Sequence, residues 1–411
     1  MSEPPAAGVP RRVLYVDYSI GFGGAAKSLS LTLDEAPHID ATLFSSQDDA
    51  ILRTWFASRT VHRFRRLVNY RTKARWHAAL SQPVVNRLAS RVLALADLAA
   101  THWNARRMVR VIRRNRIEVL HLNNGFTPPE ALLAARRSRI PCIVHLRDFQ
   151  HEPAEITHEV AASVHRVIAV SDAVGRSLGG TPVAPHSITT VHDPVDFHAI
   201  DAGAPARARI RAECGIADTA IAVAIFGRII PWKGQLVFVQ AVTHAMRTDP
   251  SIRAVIVGNE SDGGRAYLDE VRRAIHDSGM EDRFFLSGYR ENVEEFYAAM
   301  DIVVHASITP EPFGMVVPEA MAAGAAVIAA DAGGPREIIR HGVDGLLSAP
   351  GDIDALAASI GTLAGDAELR SRLAQAGRIT ARERFGIAES AARVTAIYDE
   401  LLGSHASAVT T

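Results

Sequence analysis

Short, nearly continuous apolar runs recur along this chain, separated mostly by stretches long enough for a helix. RRVLYVDY (11–18) predicts a first strand, and SIGFGGAAKSLSLTL after it predicts a glycine-rich turn entering a helix. IEVLHLNN (117–124), PCIVHL (141–146), HRVIAVS (165–171) and SITTVHDPV (187–195) predict further strands. A polar, helical connector follows. A second series then runs through IAVAIFG (221–227), IRAVIVG (252–258), DRFFLSG (282–288), DIVVHAS (301–307), AAVIAAD (325–331) and DGLLSA (344–349). Strands this apolar are covered on both faces, so the pattern predicts two parallel sheets flanked by helices. The expected division is an α/β domain at 1–205, a second at 206–385, and a C-terminal helix from 386 with a polar tail to 411.

A length of 411 residues suits two or three domains, and 48% hydrophobic against 22% charged residues is the make-up of a folded protein. Disorder and collagen-like structure are excluded. The two cysteines, Cys142 and Cys214, support neither a disulfide scaffold nor a four-thiolate zinc site, and a reducing compartment is expected. The N-terminus has no basic segment followed by an apolar run, and no stretch of eighteen uncharged apolar residues occurs, so a cytoplasmic location is expected.

A net charge of zero hides an asymmetry. Residues 51–120 carry sixteen Lys or Arg against only Asp97 and Glu118. Arg63, Arg65, Arg66, Arg71, Lys73 and Arg75 are interleaved with Trp55, Phe56, Phe64, Tyr70 and Trp76, and 85–115 predicts one or two helices with apolar and Arg faces. Three readings stand beside one another: cations solvating long helices, peripheral contact with an anionic membrane or lipid-linked phosphate, and an anionic soluble acceptor. No zinc-finger, KH or RRM pattern accompanies the charge, so nucleic acid is not expected.

Four places carry candidate chemistry. Gly21, Gly23 and Gly24 follow the first strand, where glycine lets a ligand approach backbone amides at a helix start. The spacing lacks a clean Gly-x-Gly-x-x-Gly and a following acid for a ribose, so a dinucleotide is not indicated. Arg228 and Lys233, in FGRIIPWKG, flank a bend and are able to converge on a diphosphate, Arg as a fork and Lys as a mobile point charge. In PEPFGMVVPEAMAAG, Glu319 lies at the electropositive start of a helix where it can accept ribose hydroxyls. Glu311 on the preceding loop is placed where it can face a sugar, with the amides of Phe313, Gly314, Met315 and Val316 offered to hydroxyls or diphosphate. Gly333, Gly334 and Pro335 predict another tight turn before Glu337. His145, at a strand end before Arg147 and Asp148, is placed to hydrogen-bond a sugar or acceptor hydroxyl, with His121, His192 and Asp193 as competitors. Their spacing does not suit a metal, and none is expected.

Together, GFGGAAKSL, HLRDF, VSDAV, HDPVDF, FGRIIPWKG, LSGYRENVEEFYAAMDIVVHAS and EPFGMVVPEAMAAGAAVIAADAGGPREI resemble the retaining nucleotide-sugar glycosyltransferases of family 4. The resemblance implies a GT-B fold, two Rossmann-like domains facing each other across a cleft, with the C-terminal helix crossing back to the first. It implies hexosyl transfer from a UDP- or GDP-sugar co-substrate to an acceptor hydroxyl, without another cofactor. Arg228 and Lys233 look like the diphosphate pair, Glu311 like the sugar-facing acid and Glu319 like the ribose acid. The segment around Tyr289 and Arg290 looks like the base pocket, through backbone atoms, His145 like the histidine that contacts the donor sugar, and Gly23 with Gly24 like the loop over the diphosphate and acceptor. The implied setting is cell-envelope glycolipid or polysaccharide synthesis, at the inner face of the cell membrane if the acceptor is lipid-linked. A soluble small-molecule acceptor is the alternative. A silent sugar-nucleotide binder or an epimerase would share the architecture. Donor base, acceptor, linkage and oligomeric state stay open.

Overall fold

The computed structural model describes residues 10–18, 23–47, 49–64, 83–150, 153–260 and 264–409. Gly21, Arg65, Arg66, Tyr70, Arg71, Lys73, Arg75 and Trp76 of the sequence reading lie outside them. Two compact units form. The first comprises 1–169, 175–191 and 391–411, the second 170–174 and 192–390. The sequence placed the boundaries at 205/206 and 385/386. They fall elsewhere because the connector is structured: the Val195 amide donates to the Phe385 carbonyl (2.9 Å), well inside the second unit.

The first unit holds strands β1 (Arg11–Asp17), β2 (Ile39–Ser45), β3 (Thr60–Arg63), β4 (Val119–Leu122), β5 (Cys142–Leu146), β6 (Arg166–Ala169) and β7 (Ile188–Thr190). They pair in the order β3-β2-β1-β4-β5-β6-β7, all parallel. The sequence reading missed β2 and β3: IDATLFS is broken by polar residues, and TVHR is buried in the Arg-rich stretch that drew attention to charge. Two aromatics of that stretch are core: Phe56 is buried, and Trp55 packs against the same cluster as Val13, Leu29, Leu43 and Ile143. The predicted helical region 85–115 is a single helix, Pro83–Arg114.

The second unit holds β8 (Ile221–Phe226), β9 (Ile252–Val257), β10 (Phe284–Gly288), β11 (Ile302–His305), β12 (Ala326–Ala330) and β13 (Leu346–Ser348), in the order β10-β9-β8-β11-β12-β13, all parallel. Helices Gln235–Thr248, Arg265–Asp277 and Ile353–Gly365 bury Phe238, Val242, Val271 and Ile360 against Val223, Ile225, Ile256, Val304 and Ile328. Burying such side chains is worth about 1.5–3 kcal/mol each.

Both sheets are Rossmann-like: each contains a point where successive connections leave in opposite directions, β1/β4 in the first and β8/β11 in the second. Ligands bind beyond the carboxyl ends of the strands at such points. The last helix, Ile387–Val409, belongs to the first unit from Ala391 onward, where Val394, Ile397, Tyr398 and Leu401 enter its core. Among the described residues, no helix is long and apolar enough to cross a membrane.

Candidate functional site

At the carboxyl end of β8 the chain leaves through Gly227 and Arg228 into a short turn, Pro231–Lys233. Gly234 ends that turn at φ +75°, and a Cβ there would lie 2.0 Å from the Ala306 carbonyl oxygen just after β11. Only glycine fits, so the turn is pressed against the end of β11. This puts Lys233 over the Trp232 ring (4.5 Å to the centroid) with its Nζ 2.5 Å from Glu311 Oε1.

Glu311 is the centre of a tight cluster. His305, the last residue of β11, lies with Nε2 2.6 Å from Glu311 Oε2, and the Ser307 hydroxyl donates to the same oxygen at 2.9 Å. A carboxylate only accepts, so Nε2 of His305 carries the proton in this contact. Nδ1 of that ring is buried without a partner. Burial by itself would raise the Glu311 carboxyl, but His305 and Lys233, by charge and hydrogen bonding, overcome it and hold the group well below the usual carboxylate range. The backbone behind it is clamped too. The Gly334 amide donates to the Glu311 carbonyl (2.9 Å), and a Cβ at Gly333 or Gly334 would come within 2.3 or 2.5 Å of the Glu311–Phe313 backbone. The predicted turn at Gly333–Pro335 is thus the helix start Gly333–Ile338 that backs the acid.

Glu319 sits in the first turn of Val316–Ala323, buried, and accepts a hydrogen bond from the Tyr297 hydroxyl (3.1 Å). Tyr297 stacks on Phe226 of β8 (4.1 Å between centroids). Burial and the Glu319 charge push its hydroxyl well above the ordinary tyrosine value, so it stays a donor. Between the two acids, Phe313 is buried against His192 and Phe385, and the Ser171 hydroxyl donates to the Pro312 carbonyl (2.6 Å). The amides of Phe313, Gly314 and Met315 donate to no backbone carbonyl among the described residues. They therefore remain available at a helix start, where anions and hydroxyls are favoured.

The other predicted residues are placed differently. Arg228 is exposed, and its guanidinium pairs with no described residue, whereas Lys233 is engaged with Glu311. Tyr289 is 70% exposed. Arg290 is committed to Glu213 (2.6 Å) and to the Phe296 ring (4.8 Å), which leaves backbone rather than the guanidinium for a base.

In the first unit, Gly23 and Gly24 begin the helix Gly24–Asp34. Gly23 is extended, and a Cβ there would meet nothing within 4 Å, so the fold does not itself demand glycine. His145, one residue before the end of β5, is buried, with Nδ1 3.3 Å from Arg147 and Nε2 without a partner. Burial, then the Arg147 cation and His121, push it well below the ordinary imidazole value, so the ring is neutral. Arg147 itself is held by Ser28 (3.0 Å) and the Asn123 carbonyl (3.1 Å). Behind His145, the Tyr398 hydroxyl meets both Tyr15 (2.6 Å) and His121 Nδ1 (2.7 Å). A cavity of about 460 Å³ opens beyond β4 and β5, lined by Asn124, Gly125, Phe126, Leu146 and Phe149.

Sequence reasoning missed His305, Ser307 and Tyr297. The available signal was position: His305 and Ser307 stand at the end of a strand that flanks the β8 turn. Among the described residues, no group of three or more His, Cys, Asp or Glu is arranged to hold a metal.

The chain was compared with known proteins. The model for "Glycosyl transferases group 1" matches residues 206–380, and that for "Glycosyltransferase Family 4" matches 62–198. The D-inositol 3-phosphate glycosyltransferase of Streptomyces bingchenggensis is 30% identical over 315 residues, covering 69% of this chain and 67% of that one. The lipopolysaccharide core biosynthesis mannosyltransferase LpcC of Rhizobium leguminosarum bv. viciae is 28% identical over 302 residues, covering 72% of this chain and 81% of that one. The crystal structure of Anabaena HepE in complex with UDP shares the fold, with TM-score 0.76 and 24% identity, covering 95% of this chain and 100% of that one.

Proposed function

We propose a donor, a reaction and an acceptor class from one premise: this chain belongs to the group 1, family 4 glycosyltransferases, a superfamily with the GT-B fold. It transfers a sugar from a nucleotide-sugar donor. In our reading the donor is a UDP- or GDP-hexose, the reaction retains anomeric configuration, and the acceptor hydroxyl belongs to a cell-envelope glycolipid or polysaccharide. HepE has been crystallised with UDP and with UDP-glucose, which favours UDP. The similarity to a lipopolysaccharide core mannosyltransferase favours a lipid-linked acceptor.

The observation that carries the reading is the Lys233–Glu311–His305 cluster at the β8/β11 switch point, with Glu319 in the first turn of the helix that follows. Glu319, steadied by Tyr297, accepts the ribose hydroxyls. Lys233 and the exposed Arg228 neutralise the diphosphate, taking the place of a divalent cation, while the amides of Phe313, Gly314, Met315 and Val316 bind donor oxygens. The backbone around Tyr289 and Arg290 borders the base. As the bond from C1 to the diphosphate oxygen breaks, its electron pair stays on the diphosphate. The acceptor oxygen then bonds to C1 on the same face and passes its proton to the departing diphosphate. Charge on the leaving group grows through this step, so cations already in place stabilise the transition state more than the bound donor. Glu311, kept ionised, faces the sugar and its developing positive charge. In the first unit, Gly23, Gly24 and His145 are assigned to the acceptor and to a sugar hydroxyl.

A second reading rests on a specific observation: the relative from Streptomyces bingchenggensis carries the name D-inositol 3-phosphate glycosyltransferase. A small soluble anionic acceptor is therefore the alternative. Calorimetry with UDP-, GDP- and ADP-sugars, with cleavage followed in parallel and the anomer of the product assigned by NMR, tests the proposal. One donor should stand out and give the retained anomer. Inversion, or cleavage of none of them with or without acceptor, would overturn it.

A further inference from the structure

The helix Pro83–Arg114 carries seven arginines and one acid, Asp97. Its inner face is settled: Asn104, Ala105, Met108 and Ile112 are buried, and Arg107 turns inward, its guanidinium 5.2 Å from the Phe44 ring centroid and donating to the Arg63 carbonyl (2.6 Å). The outer face is unusual in two respects. Seven large apolar side chains are exposed among the described residues, and three of them, Leu95, Leu98 and Trp103, fall within nine residues of this helix. One to three turns further on, Arg106, Arg110, Arg113 and Arg114 are exposed and pair with no described acid. At 3.6 residues per turn, Leu95, Trp103, Arg106, Arg110 and Arg113 lie within about 80° of one another, Leu98 lies about 60° to one side of this arc and Arg114 about 20° to the other, and Asp97 lies roughly opposite. The face is apolar over about 12 Å and then cationic over about 12 Å.

We propose that this outer face docks the protein on an anionic lipid bilayer, Leu95, Leu98 and Trp103 entering the headgroup boundary and the four arginines pairing with lipid phosphates. Three exposed apolar side chains next to unpaired cations match the two components of such a surface, an apolar interior and an anionic rim. A solvated helix would require the cations but not the apolar group, and a soluble polyanion would likewise use only the cations. The inference concerns a surface that the donor chemistry does not use, so it stands or falls separately.

The test is co-sedimentation of the full chain with vesicles of phosphatidylcholine alone, or of phosphatidylcholine with phosphatidylglycerol, at low and high salt. Binding is expected to need phosphatidylglycerol and to weaken as salt rises. Each cation near an anionic surface is worth about fivefold in partition, so replacing Arg106, Arg110 and Arg113 by Gln should weaken binding about a hundredfold. Replacing Leu95, Leu98 and Trp103 by Ser should remove the part that survives high salt. Trp103 emission should shift to the blue on vesicles, a change lost in Trp103→Phe. Far-ultraviolet circular dichroism, and nucleotide-sugar cleavage in free solution, should match the unmodified protein in both triple variants. Equal binding to neutral vesicles, undiminished binding by the arginine variant, or binding to heparin without binding to either vesicle would overturn the proposal.

Discussion

Replacing Lys233 by Ala separates the two jobs assigned to that ammonium. In the structure it stands 2.5 Å from Glu311, with the two side chains only 13% and 11% exposed, so solvent screens the contact little. A hydrogen bond to a charged group contributes about 1.5–3 kcal/mol, and losing it from a transition state slows the step about 10- to 150-fold. The diphosphate gains charge as it departs, so most of that loss should appear in turnover at saturating donor, with a smaller change in donor Kd. The substitution also takes from Glu311 one of the two side chains that hold its carboxyl down. In the native protein that carboxyl lies well below its ordinary value of 4.5. Its contribution to stability is therefore complete above the unfolded value and lost as pH falls through the folded one. With Lys233 gone the folded value moves up, and acid unfolding should begin at higher pH. Nucleotide release at saturating donor, calorimetry with the donor, and urea unfolding across the acid range measure all three effects. A variant with native saturated turnover and only a weaker Kd would refute the transition-state role and leave Lys233 as a uniform binding contact.

Glu319→Ala should weaken nucleotide-sugar binding more than it slows saturated turnover, and calorimetry giving native donor affinity would remove Glu319 from the ribose. Gly234→Ala forces a Cβ to within 2.0 Å of the Ala306 carbonyl oxygen at φ +75°. A loss of about 2–4 kcal/mol is expected, read as a lower urea midpoint, together with disordering of the Lys233 turn. His121 is buried and held neutral, its value pushed down to about 3 from 6.5 by burial and then by Arg147. The unfolded chain binds this proton first, so stability should fall by about 1.4 kcal/mol per pH unit for this group as pH drops from about 6 towards 3. His121→Gln should flatten that slope; an unchanged slope would mean His121 is not its source.

What the sequence made legible follows the range of the interactions involved. Lys233, Glu311 and Glu319 stand out because bends and helix starts are local: Pro231 and Gly234 mark one, Pro318 the other. Both sheets were visible wherever strands were continuously apolar, and β2 and β3 escaped because polar residues interrupt them. His305 and Ser307 were hidden because a strand-end histidine among seventeen looks structural until the neighbouring strand is known. That neighbour, β8, is about eighty residues away in sequence. Arg290 was read as bordering the base through its backbone, and its side chain is taken by Glu213, a partner that no local pattern announces.

The short segment Val170–Val174 has a consequence for how this chain can be dissected. It is flanked on both sides by first-unit residues, yet it belongs to the second unit, where its Ser171 hydroxyl holds the Pro312 carbonyl and its Asp172 and Ala173 amides cap the Glu337 carboxylate at 2.8 and 2.6 Å. A fragment starting at His192 would strand that carboxylate and release the loop that carries Glu311. A fragment ending at Val191 would lack Tyr398, and with it the shared partner of Tyr15 and His121. Exchanging either unit between relatives would therefore require moving the five-residue graft and the terminal helix along with the units they complete.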